Sequence, residues 1–181
     1  MKISRAKYCS LPRLARQGAP YQVIPTKESV MRNLLALIAF LVVVSMAAVF
    51  GAFFTPGWWY EALAKPPLNP PNWIFGPVWS ALYLAMAVSG WLIWRAQPDA
   101  VRPLALWCAQ LLLNAAWSGL FFGLHRPGLA LIEILILWGV LGATVIAFWP
   151  IHRIAGMLLL PYWAWVTFAS YLNAGLWFLN R

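Results

Sequence analysis

Apolar side chains fill five long blocks of this chain, roughly Leu34–Phe54, Trp73–Trp94, Pro103–Gly123, Gly128–Trp149 and Ile154–Leu179. Each block is near the ~20 residues that an α-helix needs to cross a ~30 Å hydrocarbon layer. The pattern predicts an all-α integral membrane protein, a five-transmembrane-helix bundle crossing the membrane several times. Arg95–Arg102, Leu124–Pro127 and Pro150–Arg153 are short connections, so the spans they join must run antiparallel. Basic residues ahead of the first block and Ser45-Met46-Ala47 within it imitate a cleaved signal peptide. The block stays apolar as far as Phe54, which favours a retained span.

The remaining connection, residues 55–72, is built differently. It holds five prolines and the run Trp58-Trp59-Tyr60-Glu61-Ala62-Leu63-Ala64-Lys65. Thr55 followed by Pro56 reads as a helix start, hydroxyl as cap and proline in the first turn. A short, aromatic interfacial helix follows, then a stiff Pro66–Pro71 segment. Such a loop can fold over the mouth of the bundle as a lid, or serve only as an interface anchor.

Composition agrees with the patterning. Of 181 residues 63% are hydrophobic, and 13 basic and 4 acidic side chains make up the charge. A soluble domain carries roughly a quarter charged residues. The net charge of +9 does not signal nucleic-acid binding, because no basic face with interleaved aromatics occurs in a folded segment. Seven basic residues precede the first span, so residues 1–31 read as an extension and 32–181 as the membrane domain. The extension fits a disordered tail, an organelle-targeting peptide or, best, a translated leader, because Met31-Arg32-Asn33 resembles a start. Its charge can touch anionic membrane lipid and would place the amino terminus inside. Without it, four basic residues against three decide nothing, and the pattern does not choose which membrane. Cys9 and Cys108 suggest neither a disulfide nor a metal site. His125 and His152 read as solvated interfacial histidines.

The 13 tryptophans divide by depth. Trp58, Trp59, Trp73, Trp94 and Trp149 fall at segment ends, where indoles favour the headgroup region. Deeper, Trp107, Gln110, Asn114, Trp117 and Phe121 share one face of the third span. Trp79, Tyr83, Met86 and Gly90 share a face of the second. Trp165, Ala169 and Asn173 align on the fifth, with Trp177 drifting off their line. Amides are costly in a span unless partnered, so these faces should look inward. Two readings remain open: interhelical hydrogen bonding with close packing at small residues, or a flat apolar pocket with a few polar groups. No catalytic set, metal cluster or phosphate-binding loop is present, and nothing calls for a cofactor. Glu133, the one acid well inside a span, sits near the start of the fourth helix, where pairing with Arg126 or His125 is expected.

Trp59-Tyr60, Lys65-Pro66, Pro70-Pro71, Trp73, Gly76-Pro77-Val78-Trp79 and Tyr83 resemble the first-loop and second-helix signature of the TspO/translocator-protein family, the tryptophan-rich sensory proteins. Gln110, Asn114, Trp117 and Phe121-Phe122-Gly123 resemble its third helix. Pro161-Tyr162, Ala164-Trp165, Phe168-Ala169 and Leu172-Asn173 resemble its fifth. The resemblance spans about residues 34–180. It implies a five-helix bundle, commonly a homodimer, binding tetrapyrroles such as protoporphyrin IX and benzodiazepine-type drugs. The ligand-binding residues it implies are Tyr60, Trp79, Tyr83, Asn114, Trp117, Trp165, Ala169 and Asn173. Trp79 and Trp165 match the pair associated with porphyrin photo-oxidation in relatives. The cholesterol motif of animal members is broken, because no Lys or Arg follows Tyr171 before Arg181. A sensor holding a tetrapyrrole is the favoured function, with a porphyrin transporter or a light-dependent porphyrin-degrading enzyme as alternatives.

Overall fold

The computed structural model describes residues 26–54 and 56–181. Its elements, in chain order, are α1 (Lys27–Ala52), the short α2 (Trp58–Ala62), a 3-10 turn (Asn72–Ile74), α3 (Phe75–Ala96), α4 (Val101–Ser118) prolonged by a π-helical turn (Gly119–Gly123), α5 (Pro127–Phe148) and α6 (Arg153–Leu179). The helices α1, α3, α4, α5 and α6 are each long and apolar enough to cross a membrane.

Helix ends follow from capping chemistry. At α1, the Thr26 hydroxyl accepts from the Ser29 backbone N–H at 3.2 Å, and Glu28 lies in the first turn. Both favour a helix start there. The helix therefore begins at Lys27 rather than near Leu34, and Met31-Arg32-Asn33 is helical. Most of the basic extension, residues 1–25, lies outside the described residues. The loop helix α2 starts at Trp58 with Gly57 as its N-cap residue, so Pro56 precedes it instead of forming its first turn. Thr55, the predicted cap, lies outside the described residues. Pro127 occupies the first turn of α5, where its missing N–H costs nothing. His152 caps α6, its Nδ1 accepting from Ala155 N–H at 3.3 Å.

The five long helices close into a ring. α1 packs on α3, α3 on α6, α6 on α5, α5 on α4, and α4 back on α1. The main core fills this ring with Met86, Ala87, Ile93, Leu137, Leu141, Phe148, Leu159 and Tyr162, all nearly inaccessible. Gly90 permits the closest approach: a Cβ there would meet the Trp107 ring at 2.7 Å and the Phe40 ring at 2.8 Å. Those two rings meet edge to face, 5.0 Å apart. The outer faces stay apolar, with Val42, Met46, Leu112, Ile132 and Ile146 exposed. That suits contact with lipid. A second, smaller core of Tyr60, Phe121, Ala130 and Leu176 closes the end that carries the long loop.

Candidate ligand-binding site

Polar side chains that were expected to face inward do so, and they find one another. Gln110, Asn114 and Asn173 are all buried. Tyr83 on α3 donates its hydroxyl to Asn114 Oδ1 at 2.9 Å, and Asn114 Nδ2 donates to the Tyr162 hydroxyl on α6 at 3.0 Å. One amide thus joins three helices. Closer to the loop end, Trp117 Nε1 donates to Asn173 Oδ1 at 3.0 Å, and Asn173 Nδ2 donates to the Pro127 carbonyl at 2.8 Å. That second bridge ties α4, α6 and the start of α5. Unmet amides are costly in an apolar interior, so each bridge fixes the rotation of its helices.

Aromatic rings fill the space between the bridges. Trp79 lies 5.3 Å from the Tyr83 ring and 6.1 Å from the Tyr162 ring. Trp165 is half-buried, with Phe75 at 5.8 Å and Phe168 at 5.7 Å, and Ala169 packs one turn further along α6. Trp117 stacks on Phe121 at 5.0 Å and touches both cores. Tyr60 is buried beneath the loop against Phe121 and Phe122, at 6.3 and 5.6 Å. The expected residues therefore form two neighbouring groups. Trp79, Tyr83, Asn114, Trp165 and Ala169 lie against the main core, Tyr60 belongs to the second core, and Trp117 with Asn173 lies at the junction.

Tyr162, Trp59 and Phe122 were not among the expected site residues. Tyr162 precedes Trp165 by three positions on the Trp165–Ala169–Asn173 line, so helical spacing alone could have found it. Trp59 and Phe122 could not be found that way, because their partners come from distant segments.

The long loop is strapped over this end. Pro66 is buried on Gly175, where a Cβ would stand 2.5 Å from the Pro66 Cβ. Tyr171 donates its hydroxyl to the Pro67 carbonyl at 3.0 Å. Lys65 Nζ donates to the Tyr60 and Glu61 carbonyls, both at 3.1 Å, capping α2. Tyr60 donates to Asn69 Oδ1 at 3.3 Å. Burial pushes the Tyr60 phenol above its usual value, and the bond to Asn69 offsets part of that rise. His125 adds a contact absent from the sequence reading. It adopts a left-handed backbone, φ 53°, and stacks on Trp59 at 4.4 Å.

Two open clefts lie elsewhere. One of about 560 Å³ runs along the outside of α1, lined by Ile38, Val42 and Met46 among others. Another of about 410 Å³ lies between the His125–Leu129 turn and the end of α6. None of the eight expected residues lines either cleft. Glu133 departs from expectation more clearly. It is buried with neither carboxyl oxygen partnered. The predicted pairing with Arg126 or His125 fails because Glu133 faces the interior while both basic residues are exposed at the turn.

Comparison with known proteins gives one answer. The TspO/MBR family model matches residues 38–178. Protein CrtK of Rhodobacter capsulatus is 38% identical over 144 residues, covering 78% of this chain and 90% of that protein. The translocator protein of Bos taurus is 40% identical over 151 residues, covering 80% and 89%. The tryptophan-rich sensory protein of Cereibacter sphaeroides is 35% identical over 136 residues, covering 75% and 85%. Read with the five apolar helices, these matches make the chain a multi-pass integral membrane protein that belongs to the TspO/MBR family.

Proposed function

We propose that the protein is a membrane receptor or sensor for tetrapyrroles such as protoporphyrin IX, held by the Trp- and amide-lined end of the bundle beneath the long loop. The observation that carries this reading is the convergence of Trp79, Tyr83, Asn114, Trp117, Trp165 and Asn173 from three helices, with Tyr60 as roof. Flat apolar rings with a few fixed polar groups suit a planar macrocycle, as ligand sites in general combine apolar walls with sparse hydrogen-bonding groups. Benzodiazepine-type ligands have the same chemistry, flat and aromatic with a polar edge. With the loop tied to α6 and Asn114 bridging Tyr83 to Tyr162, entry requires the loop to lift and the tyrosine–amide bridge to part. The loop is then a lid as well as an anchor. Occupancy of the site would report tetrapyrrole or stress status to a partner, and the bundle would act as a homodimer in lipid.

Relatives carry the name translocator protein, which supports porphyrin transport as a second reading. A third, light-dependent degradation, draws on Trp79 standing against two phenols, a setting in which an oxidised indole has electron donors close by. One experiment separates them. Purified full-length protein is incubated with protoporphyrin IX in the dark, in light, and in sealed vesicles. Unchanged bound pigment supports sensing, loss in light supports degradation, and movement across the vesicle supports transport. Failure to bind pigment at all refutes the reading.

A further inference from the structure

Glu133 is a polar group of the interior that the site described above leaves unused. It is 8% exposed on α5, and neither carboxyl oxygen has a partner among the described residues. It shares its face of the helix with Ala130, Ile134 and Leu137, all buried. The side chain therefore looks inward between α4 and α6, the two helices on which α5 packs.

Two registers fix its depth. On one side the Arg126 N–H donates to the Leu120 carbonyl at 3.1 Å, and Phe121 joins Ala130 in the smaller core. Carried along the antiparallel helices, these contacts set Glu133 level with Trp117. On the other side Trp138 Nε1 donates to the Thr167 hydroxyl at 2.9 Å, and Gly142 faces the Trp163 ring. That register sets Glu133 level with Leu172 and Asn173. The carboxyl thus stands at the depth of the Trp117–Asn173 hydrogen bond, which joins α4 to α6. Phe121 and Phe122 lie against Trp117 at 5.0 and 5.7 Å, so aromatic faces wall this part of the bundle.

What the carboxyl lacks defines what it can hold. As an anion it has no counter-charge, because the described Lys and Arg side chains lie in loops or within two turns of a helix end. None of them bonds to it. Protonation removes the charge but leaves a carbonyl oxygen and an O–H without partners, and unmet polar groups are costly there too. A ligand ammonium answers both deficits. It carries the missing charge, and its N–H groups can donate to both oxygens. Aromatic faces favour the same cation. We propose that Glu133, with the Trp117 and Phe121 rings, binds the ammonium group of an aromatic amine. The acid selects the positive nitrogen and the rings select a flat apolar body. The inference shares with the proposed function the premise that this junction admits a ligand, and it stands whether or not a tetrapyrrole is one.

The test uses full-length protein in phosphatidylcholine nanodiscs at neutral pH, titrated with pyrenemethylamine and, separately, with its neutral analogue pyrenemethanol. Energy transfer from tryptophan to pyrene reads binding. The parent should bind the amine about tenfold or more tightly than the alcohol, the scale of one charge-assisted hydrogen bond. Glu133→Gln should lose that preference and keep its affinity for the alcohol. Glu133→Leu should lose it too, while the empty protein melts no earlier than the parent, because leucine removes an unpaired acid rather than a partner. Equal preference in the parent and Glu133→Gln overturns the proposal, as does no preference in the parent or no saturable binding of either probe. So does early melting of Glu133→Leu, since the carboxyl would then serve the fold. Protoporphyrin IX titrated into the same samples keeps the two readings apart. Pigment binding without amine preference overturns this inference alone, and amine preference without pigment binding overturns the tetrapyrrole reading alone.

Discussion

Asn180 and Ala64 stand 116 positions apart in the chain and exchange two hydrogen bonds, Ala64 N–H to Asn180 Oδ1 and Asn180 Nδ2 to the Ala64 carbonyl, both at 2.9 Å. Asn180 also donates to the Leu176 carbonyl at 2.7 Å, so one side chain closes the end of α6 and binds the loop main chain. With Pro66 seated on Gly175, this clasp holds α2 over the site. Asn180→Ala should leave the spans folded and free the loop. Hydrogen exchange at the Ala64 amide is expected to rise by about tenfold or more, matching ~1.5 kcal/mol for a lost bond. Unchanged exchange would show that packing alone holds the loop.

Gly175→Val tests the same seat by shape. A larger side chain cannot coexist with the Pro66 ring, whose Cβ would stand 2.5 Å from a Cβ at position 175. The loop should undock while Tyr83, Asn114 and Tyr162 stay in place. Limited proteolysis within residues 63–70 should become faster, with the melting temperature of the bundle nearly constant. A large fall in melting temperature would mean that the loop is part of the core rather than a cover.

Alkaline pH should loosen the loop through Tyr60. Its folded-state phenol lies above the ordinary value of 10.0 because burial disfavours the anion. The sign follows from proton counting. Above pH 10 the undocked loop releases this proton more readily than the docked one, so docking weakens as pH rises from the ordinary value through the raised one. Below pH 10 the contribution is fully present. Loop exchange measured against pH should therefore climb above about 10 in the parent. Tyr60→Phe should lack that component.

Asn114 distinguishes stability from binding. Both ends of its amide serve protein partners, so Asn114→Ala strips partners from the buried Tyr162 and the half-buried Tyr83. The expected cost to the empty protein is about 0.6–2 kcal/mol, the range for interhelical hydrogen bonds in membranes. Thermal unfolding without ligand would detect it. A variant as stable as the parent would contradict the bridging role.

Much of the architecture was legible in the hydropathy pattern because the bilayer imposes one length and one rule on every span. The breaks at Arg95–Arg102 and Pro150–Arg153 fell within a few residues of the observed helix ends. The α4 face of Trp107, Gln110 and Asn114 was legible for the same reason: helical spacing sorts polar from lipid-facing positions, and all three are buried. Partner identity was not legible. Nothing local to Asn114 names Tyr162, and nothing near Ala64 names Asn180, since both pairings depend on how separate helices lean. Capping misled at Pro56, where Gly57 sets the end instead, and the apolar block from Leu34 did not show that α1 starts at Lys27 behind the Thr26 cap. Glu133 misled because proximity in sequence to Arg126 implied a pair that the helix face forbids.

Binding of protoporphyrin IX tests the central claim most directly. Tryptophan emission of the full-length protein in detergent should fall saturably as pigment is added in the dark. Trp79→Phe and Trp165→Phe each keep a ring, and aromatic pairs contribute roughly 0.5–1.5 kcal/mol beyond buried area, so each should weaken binding by no more than about tenfold. Trp94→Phe, near the opposite end of α3, should bind as the parent does. Equal impairment by Trp94→Phe, or quenching that never saturates in the parent, would contradict a tetrapyrrole site at Trp79 and Trp165.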